Sequence, residues 1–190
     1  MQGYRGGEES EIIIRLIMGK QIHHRCRCTG ETFTDTLWYH WLKNHDSQES
    51  VYEYQEFRYN INDVCLNPRK PVEWSNKHCR IVITTSKSPN GWDYGYDFKF
   101  HDSYGCGGAM FVDKDFEGYT SEKAAITGCL KFMKKNLGNI LKYMKEVGDG
   151  YGDDGDYEEY STIIPYLERG MVQIDAMMER FDPRQLDLFD

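Results

Sequence analysis

Long apolar runs are the first thing this chain lacks. No stretch of its 190 residues approaches the roughly 20 consecutive apolar residues that a membrane-spanning helix needs. The one early apolar segment, Ile12 to Met18, is interrupted by Arg15 and lacks a small-residue cleavage site, which argues against a secretory leader. Cysteine is sparse as well: six in a chain of this length are too few for a disulfide framework, and in a reducing compartment they read as buried thiols or metal ligands. Internal repeats are missing. So are the nucleophile elbow, the paired-histidine zinc helix, the phosphate-binding loop ending in Lys-Ser/Thr and the deaminase zinc pattern. The expectation is a soluble cytoplasmic protein with no membrane partner and, in the absence of a catalytic signature, no enzymatic activity.

Charge is plentiful but unevenly placed. The chain carries 23 basic and 31 acidic side chains, a formal net charge of −8. Residues 148–190 hold 12 of the acidic and 3 of the basic groups, leaving 19 acidic and 20 basic in residues 1–147. The acidity therefore belongs to the C-terminal part. A near-neutral remainder leaves room for a local basic face, and DNA stays open as a partner.

Periodicity divides the chain into an α+β body at 11–147 after a disordered N-terminus at 1–10. An acidic Gly/Asp hinge at 148–157, a C-terminal amphipathic helix at 158–181 and a tail at 182–190 follow. Ile12–Met18 reads as a strand, with 21–28 as a candidate partner, and Leu37, Trp38, Trp41 and Leu42 fall at helical spacing over 35–44. Residues 51–59 read as one edge strand and 78–85, with Ile81, Val82 and Ile83, as a clearer one. Trp92, Tyr94, Tyr96, Phe98 and Phe100 alternate with Asp93, Gly95, Asp97 and Lys99, giving a strand with one wholly aromatic face. A Gly-rich loop at 101–108 and a short strand at 109–112 come next. The clearest helix starts at a Thr120 or Ser121 cap, with Ala125, Ile126, Cys129, Leu130, Met133, Leu137, Ile140, Leu141 and Met144 on one stripe. The fold expected is an antiparallel sheet packed on that long helix.

Several constellations bear on chemistry. The aromatic face at Trp92, Tyr94 and Tyr96 is either core beneath the long helix or a platform for stacking nucleic-acid bases. Cys26, Cys28, Cys65 and Cys79 would supply the four soft donors of a structural zinc if their two segments meet; the alternative is a set of buried thiols. No other cofactor is signalled. Asp149, Asp153, Asp154 and Asp156 fail the calcium-loop pattern, because Tyr151 and Tyr160 stand where oxygen ligands are required; the run reads instead as a self-repelling hinge holding the last helix away from the body.

The string Gln185, Leu186, Asp187, Leu188, Phe189 resembles the docking motif of bacterial sliding-clamp clients, the polymerases and mismatch-repair proteins that bind the DNA polymerase III beta subunit. All five positions match the pattern Gln, Leu, Ser or Asp, Leu, Phe. The resemblance implies that Gln185 is the polar anchor at the edge of the clamp cleft, and that Leu186, Leu188 and Phe189 are the apolar anchors within it. Pro183 breaks any preceding helix, which suits a peptide that extends into a partner's groove.

A second, looser resemblance covers the 92–133 region, where W-x-x-G-Y-D-F, GCGGAMF and YTSEKAAITGCLKFM occur in order. It is similar to a strand, hairpin, strand, helix module of small phage and mobile-element proteins, some of them ParB-associated, although the catalytic and nucleotide-binding motifs of ParB are absent. Together the two resemblances imply a non-enzymatic accessory protein recruited to replication or repair through the clamp. An acidic inhibitor of DNA-processing or defence proteins, and a clamp-tethered nuclease or modifying enzyme, are the alternatives.

Overall fold

The computed structural model describes residues 23–25, 32–34, 50, 52–114, 116–151 and 157–182. The expected N-terminal segment at 1–10, the strand at Ile12–Met18 and the helix over 35–44 lie outside these residues. Two short ladders precede the body: β1 (His23–Arg25) pairs antiparallel with β2 (Thr32–Thr34), and β3 (Tyr52–Tyr54) with β4 (Phe57–Tyr59). The single edge strand expected at 51–59 is thus a hairpin. Gln55, at φ 54°, turns the chain where period-2 alternation alone would carry it straight on.

The centre is a four-stranded antiparallel sheet in the order β5-β6-β7-β8, from β5 (Arg69–Ser75), β6 (Cys79–Ser88), β7 (Gly91–Phe100) and β8 (Ser103–Gly107). Ile81 pairs with Phe98 and Ile83 with Tyr96, so the apolar positions of β6 and the aromatic positions of β7 share a face. The 101–108 segment is not a loop as expected. After a tight turn at His101 and Asp102, it becomes β8, paired with β7 from Phe100–Ser103 to Tyr96–Gly107. Its Gly105 stands where the Phe98 ring leaves no space for a side chain, and Gly107 lies close against the Tyr96 ring.

Helix α1 (Glu122–Val147) covers this face. Ser121 caps it, accepting a hydrogen bond from the Ala124 backbone N–H, and the stripe from Ala125 to Met144 is buried. After β9 (Gly150–Tyr151) and β10 (Tyr157–Glu158), which pair antiparallel, α2 (Tyr160–Arg180) runs back over α1 and the sheet. Its buried residues Ile163, Leu167, Ile174 and Met177 belong to the same core as Ile81, Phe98, Phe100, Leu130 and Met133. The last helix is therefore not held away from the body, because its apolar stripe gains more by burial than the acidic connection loses by repulsion. Gly170 makes the close approach to β6, since a Cβ there would stand 2.7 Å from the Cys79 sulfur. The connection also caps the helix. The Asp149 carboxylate accepts from the Ser161 backbone N–H at 2.8 Å and from its hydroxyl at 2.7 Å, which holds it below the usual carboxylate range.

The opposite face of the sheet is covered by chain rather than helix. Ala109 and Gly108 lie directly over Gly95, where any Cβ would collide with backbone. Ser88 donates to the Val112 carbonyl at 2.9 Å, and the Cys65 N–H donates to the Ala109 carbonyl at 2.8 Å. These contacts, with the bridge between Val64 and Met110, replace the short strand expected at 109–112. Phe57, Tyr59, Cys65 and Ala109 form a second buried cluster there. The fold is α+β, and no helix among the described residues is long and apolar enough to cross a membrane.

Candidate functional site

The aromatic face of β7 is spent on packing. Phe98 stacks on Phe100 at 4.7 Å and on Tyr96 at 5.7 Å, while Phe132 of α1 closes on Tyr96 at 5.1 Å. Tyr94 is half-buried beside Tyr119, and burial pushes its hydroxyl up to about 12. Trp92, at the start of the strand, leaves this core and packs on Phe57 of the second cluster, with the Arg69 guanidinium 5.3 Å from its ring. A stacking platform needs rings open to a base, and Tyr94 and Tyr96 are covered by α1 and its leading segment. Of the two readings of this face, the packing of Tyr94 and Tyr96 against the main core supports the core one.

The candidate zinc ligands are not brought together where they can be seen. Cys79 lies in the main core beneath α2, and Cys65 lies in the second cluster with Tyr59 and Ala109. Burial raises both thiols, Cys79 to about 12, and so favours the neutral form that packs as a small hydrophobe. Cys26 and Cys28 lie outside the described residues. Among the described residues no group of three or more His, Cys, Asp or Glu side chains is gathered as a metal site. Of the four sulfurs considered for a structural zinc, the two described ones, Cys65 and Cys79, lie in separate clusters.

Gln185, Leu186, Asp187, Leu188 and Phe189 also lie outside the described residues. What precedes them is anchored: α2 ends at Arg180, and Thr127 of α1 donates to the Phe181 carbonyl at 3.1 Å.

Sequence reading missed Asp93. In the alternation of β7 it counts as an outward polar residue, yet residues 110–114 and 116–119 fold over that end of the strand, through mutual backbone hydrogen bonds of 2.8 Å between Trp92 and Tyr119. A cavity of about 320 Å³ results, lined by Asp93 together with Trp92, Phe111, Phe116, Glu117 and Tyr119 among others. Burial raises the Asp93 carboxyl above its ordinary value, and hydrogen bonds from the Tyr94 and Met110 backbone N–H groups oppose that shift. Nothing in the local sequence announces this, because the covering segment is about 20 residues away along the chain.

No family model, curated protein or solved structure matches the chain.

Proposed function

We propose that this chain is a non-enzymatic accessory protein, of the kind carried by phages and mobile elements, that is recruited to replicating or repaired DNA by binding the bacterial sliding clamp through Gln185–Phe189. The observation that carries this reading is the complete QLDLF match. From average residue usage, five specified positions agree by chance at about one site in 10⁵ to 10⁶.

Gln185 follows Arg180, the last residue of α2, by five residues along the chain. Burying Leu186, Leu188 and Phe189 in an apolar cleft would contribute about 1.5–3 kcal/mol each. Ordering the peptide would cost about 2–5 kcal/mol, with lost rigid-body freedom in addition, which leaves micromolar affinity on the order of magnitude. That strength suits a client that comes and goes. Once tethered, the body acts at raised effective concentration and needs little affinity of its own for neighbouring DNA or protein.

Titrating purified bacterial clamp against the full chain, and against a chain ending at Arg184, tests the reading. Binding is expected only with the full chain. Equal binding by the two, or none at about 100 micromolar, would overturn it.

A further inference from the structure

We infer that the cavity between the start of β7 and the described residues 110–113 and 116–119 is a binding site for an organic ammonium ion, presented free or as a lysine side chain. The site is independent of the clamp motif and rests on its own observations.

Its walls combine two chemistries that together select one class of ligand. Asp93 and Glu117 contribute carboxylates, and Asp63 and Asp113 add two more while keeping hydrogen bonds of their own. None of the described lining residues is Lys or Arg. The rest of the wall is aromatic or aliphatic. Of the seven large hydrophobic side chains exposed among the described residues, three line this cavity: Phe116 at 73%, Met110 at 36% and Tyr119 at 36%. An apolar rim kept open to solvent beside half-buried negative charge at Asp93 favours a cation that carries its own hydrocarbon.

The alternatives fit less well. A bare metal ion needs several oxygen donors converging at once, and no such group is gathered among the described residues. An anion would face four carboxylates. A neutral apolar ligand would leave the Asp93 carboxylate in a drier site with no compensating charge. The volume stands at the small end of the about 300–1,000 Å³ usual for ligand pockets, which suits a single side chain or small amine. Aromatic faces attract ammonium groups through their negative quadrupole, and that attraction grows as water is excluded. Arg69 and Lys87 stand 5.3 and 5.8 Å from the Trp92 ring but do not line the cavity, so Phe111, Phe116 and Tyr119 supply its main aromatic surface.

The test uses the full chain labelled with ¹⁵N, following the Gly118 and Tyr119 amides and the Trp92 indole N–H. The probes are tetramethylammonium, butylammonium, a capped Gly-Lys-Gly peptide and the uncharged comparator 3,3-dimethylbutanol. Saturable shifts are expected with the cations, and binding about tenfold weaker with the uncharged comparator. Asp93→Asn and Phe116→Ala should each weaken cation binding by about fivefold. Phe116 is mostly exposed, so its variant keeps the fold if Asp93→Asn does not. Tighter binding of the peptide than of butylammonium identifies a polypeptide lysine as the source, and the reverse order identifies a free amine. The inference is overturned if no cation gives saturable shifts up to about 50 millimolar, if the uncharged comparator binds equally well, or if Phe116→Ala binds like the parent.

Discussion

Gly105 of β8 lies against the ring of Phe98 so closely that a Cβ at position 105 would stand 2.5 Å from the ring carbons Cε1 and Cζ. The ring has nowhere to retreat, because it is stacked between Phe100 and Tyr96 and capped by Phe132. Gly105→Ala should therefore lower stability by about 1–3 kcal/mol, as overpacking does. At Gly107 the corresponding approach, to Tyr96, is 3.3 Å, so Gly107→Ala should cost less. Urea unfolding of both variants measures the order, and a Gly105→Ala protein as stable as the parent would contradict the packing described.

Phe98 itself is a core residue of the sheet and α1. Phe98→Ala should cost about 3–5 kcal/mol, the transfer loss of the ring together with the cavity it leaves. Thermal or denaturant unfolding gives the value. A change of less than about 1 kcal/mol would mean that the aromatic face is not the support of this fold.

Asp93 sets a pH dependence. Its folded carboxyl is raised above the ordinary 3.8, first by burial. A raised carboxyl favours the folded state while protonated, and this contribution is lost as pH climbs from the ordinary value through the raised one. Asp93→Asn removes the charge while keeping an acceptor for the Tyr94 N–H. The variant should be more stable than the parent at neutral pH, with the advantage shrinking toward about pH 3. Denaturant unfolding at both pH values checks the sign; an Asn variant less stable at neutral pH would show that the hydrogen bonds to the carboxylate outweigh its burial.

For the clamp motif, binding energy concentrated in a few apolar anchors predicts a steep response. Changing both Leu188 and Phe189 to Ala should weaken clamp binding by more than about a hundredfold, while Asp190→Ala should matter little. Calorimetric titration of the clamp with the two variants measures the contrast. Similar affinities for the double variant and the parent would remove the assignment of Leu188 and Phe189 as anchors.

What could be seen in the sequence was whatever depends on neighbours within a few residues. The period-2 aromatics of β7, the Ser121 cap and the apolar stripe of α1 each announce themselves locally, and all are present in the structure. The QLDLF string is legible for the same reason, as a match carried by five consecutive residues. The glycines of 101–108 read as a loop because glycine is permissive; their reason for being in a strand is the pair of rings on β7, which only strand pairing brings beside them.

The sequence by itself determined the helical stripe of α1 and α2 and the extended, alternating pattern of β6 and β7, since these follow from backbone periodicity. Tertiary structure alone decided that α2 joins the main core rather than standing off on an acidic hinge, that Cys65 and Cys79 fall in separate clusters, and that Asp93 lines a cavity with Met110–Asp113 and Phe116–Tyr119. Each of these turns on which surfaces meet across tens of residues. That is settled by the burial each arrangement gains over the whole molecule, a quantity no local pattern contains.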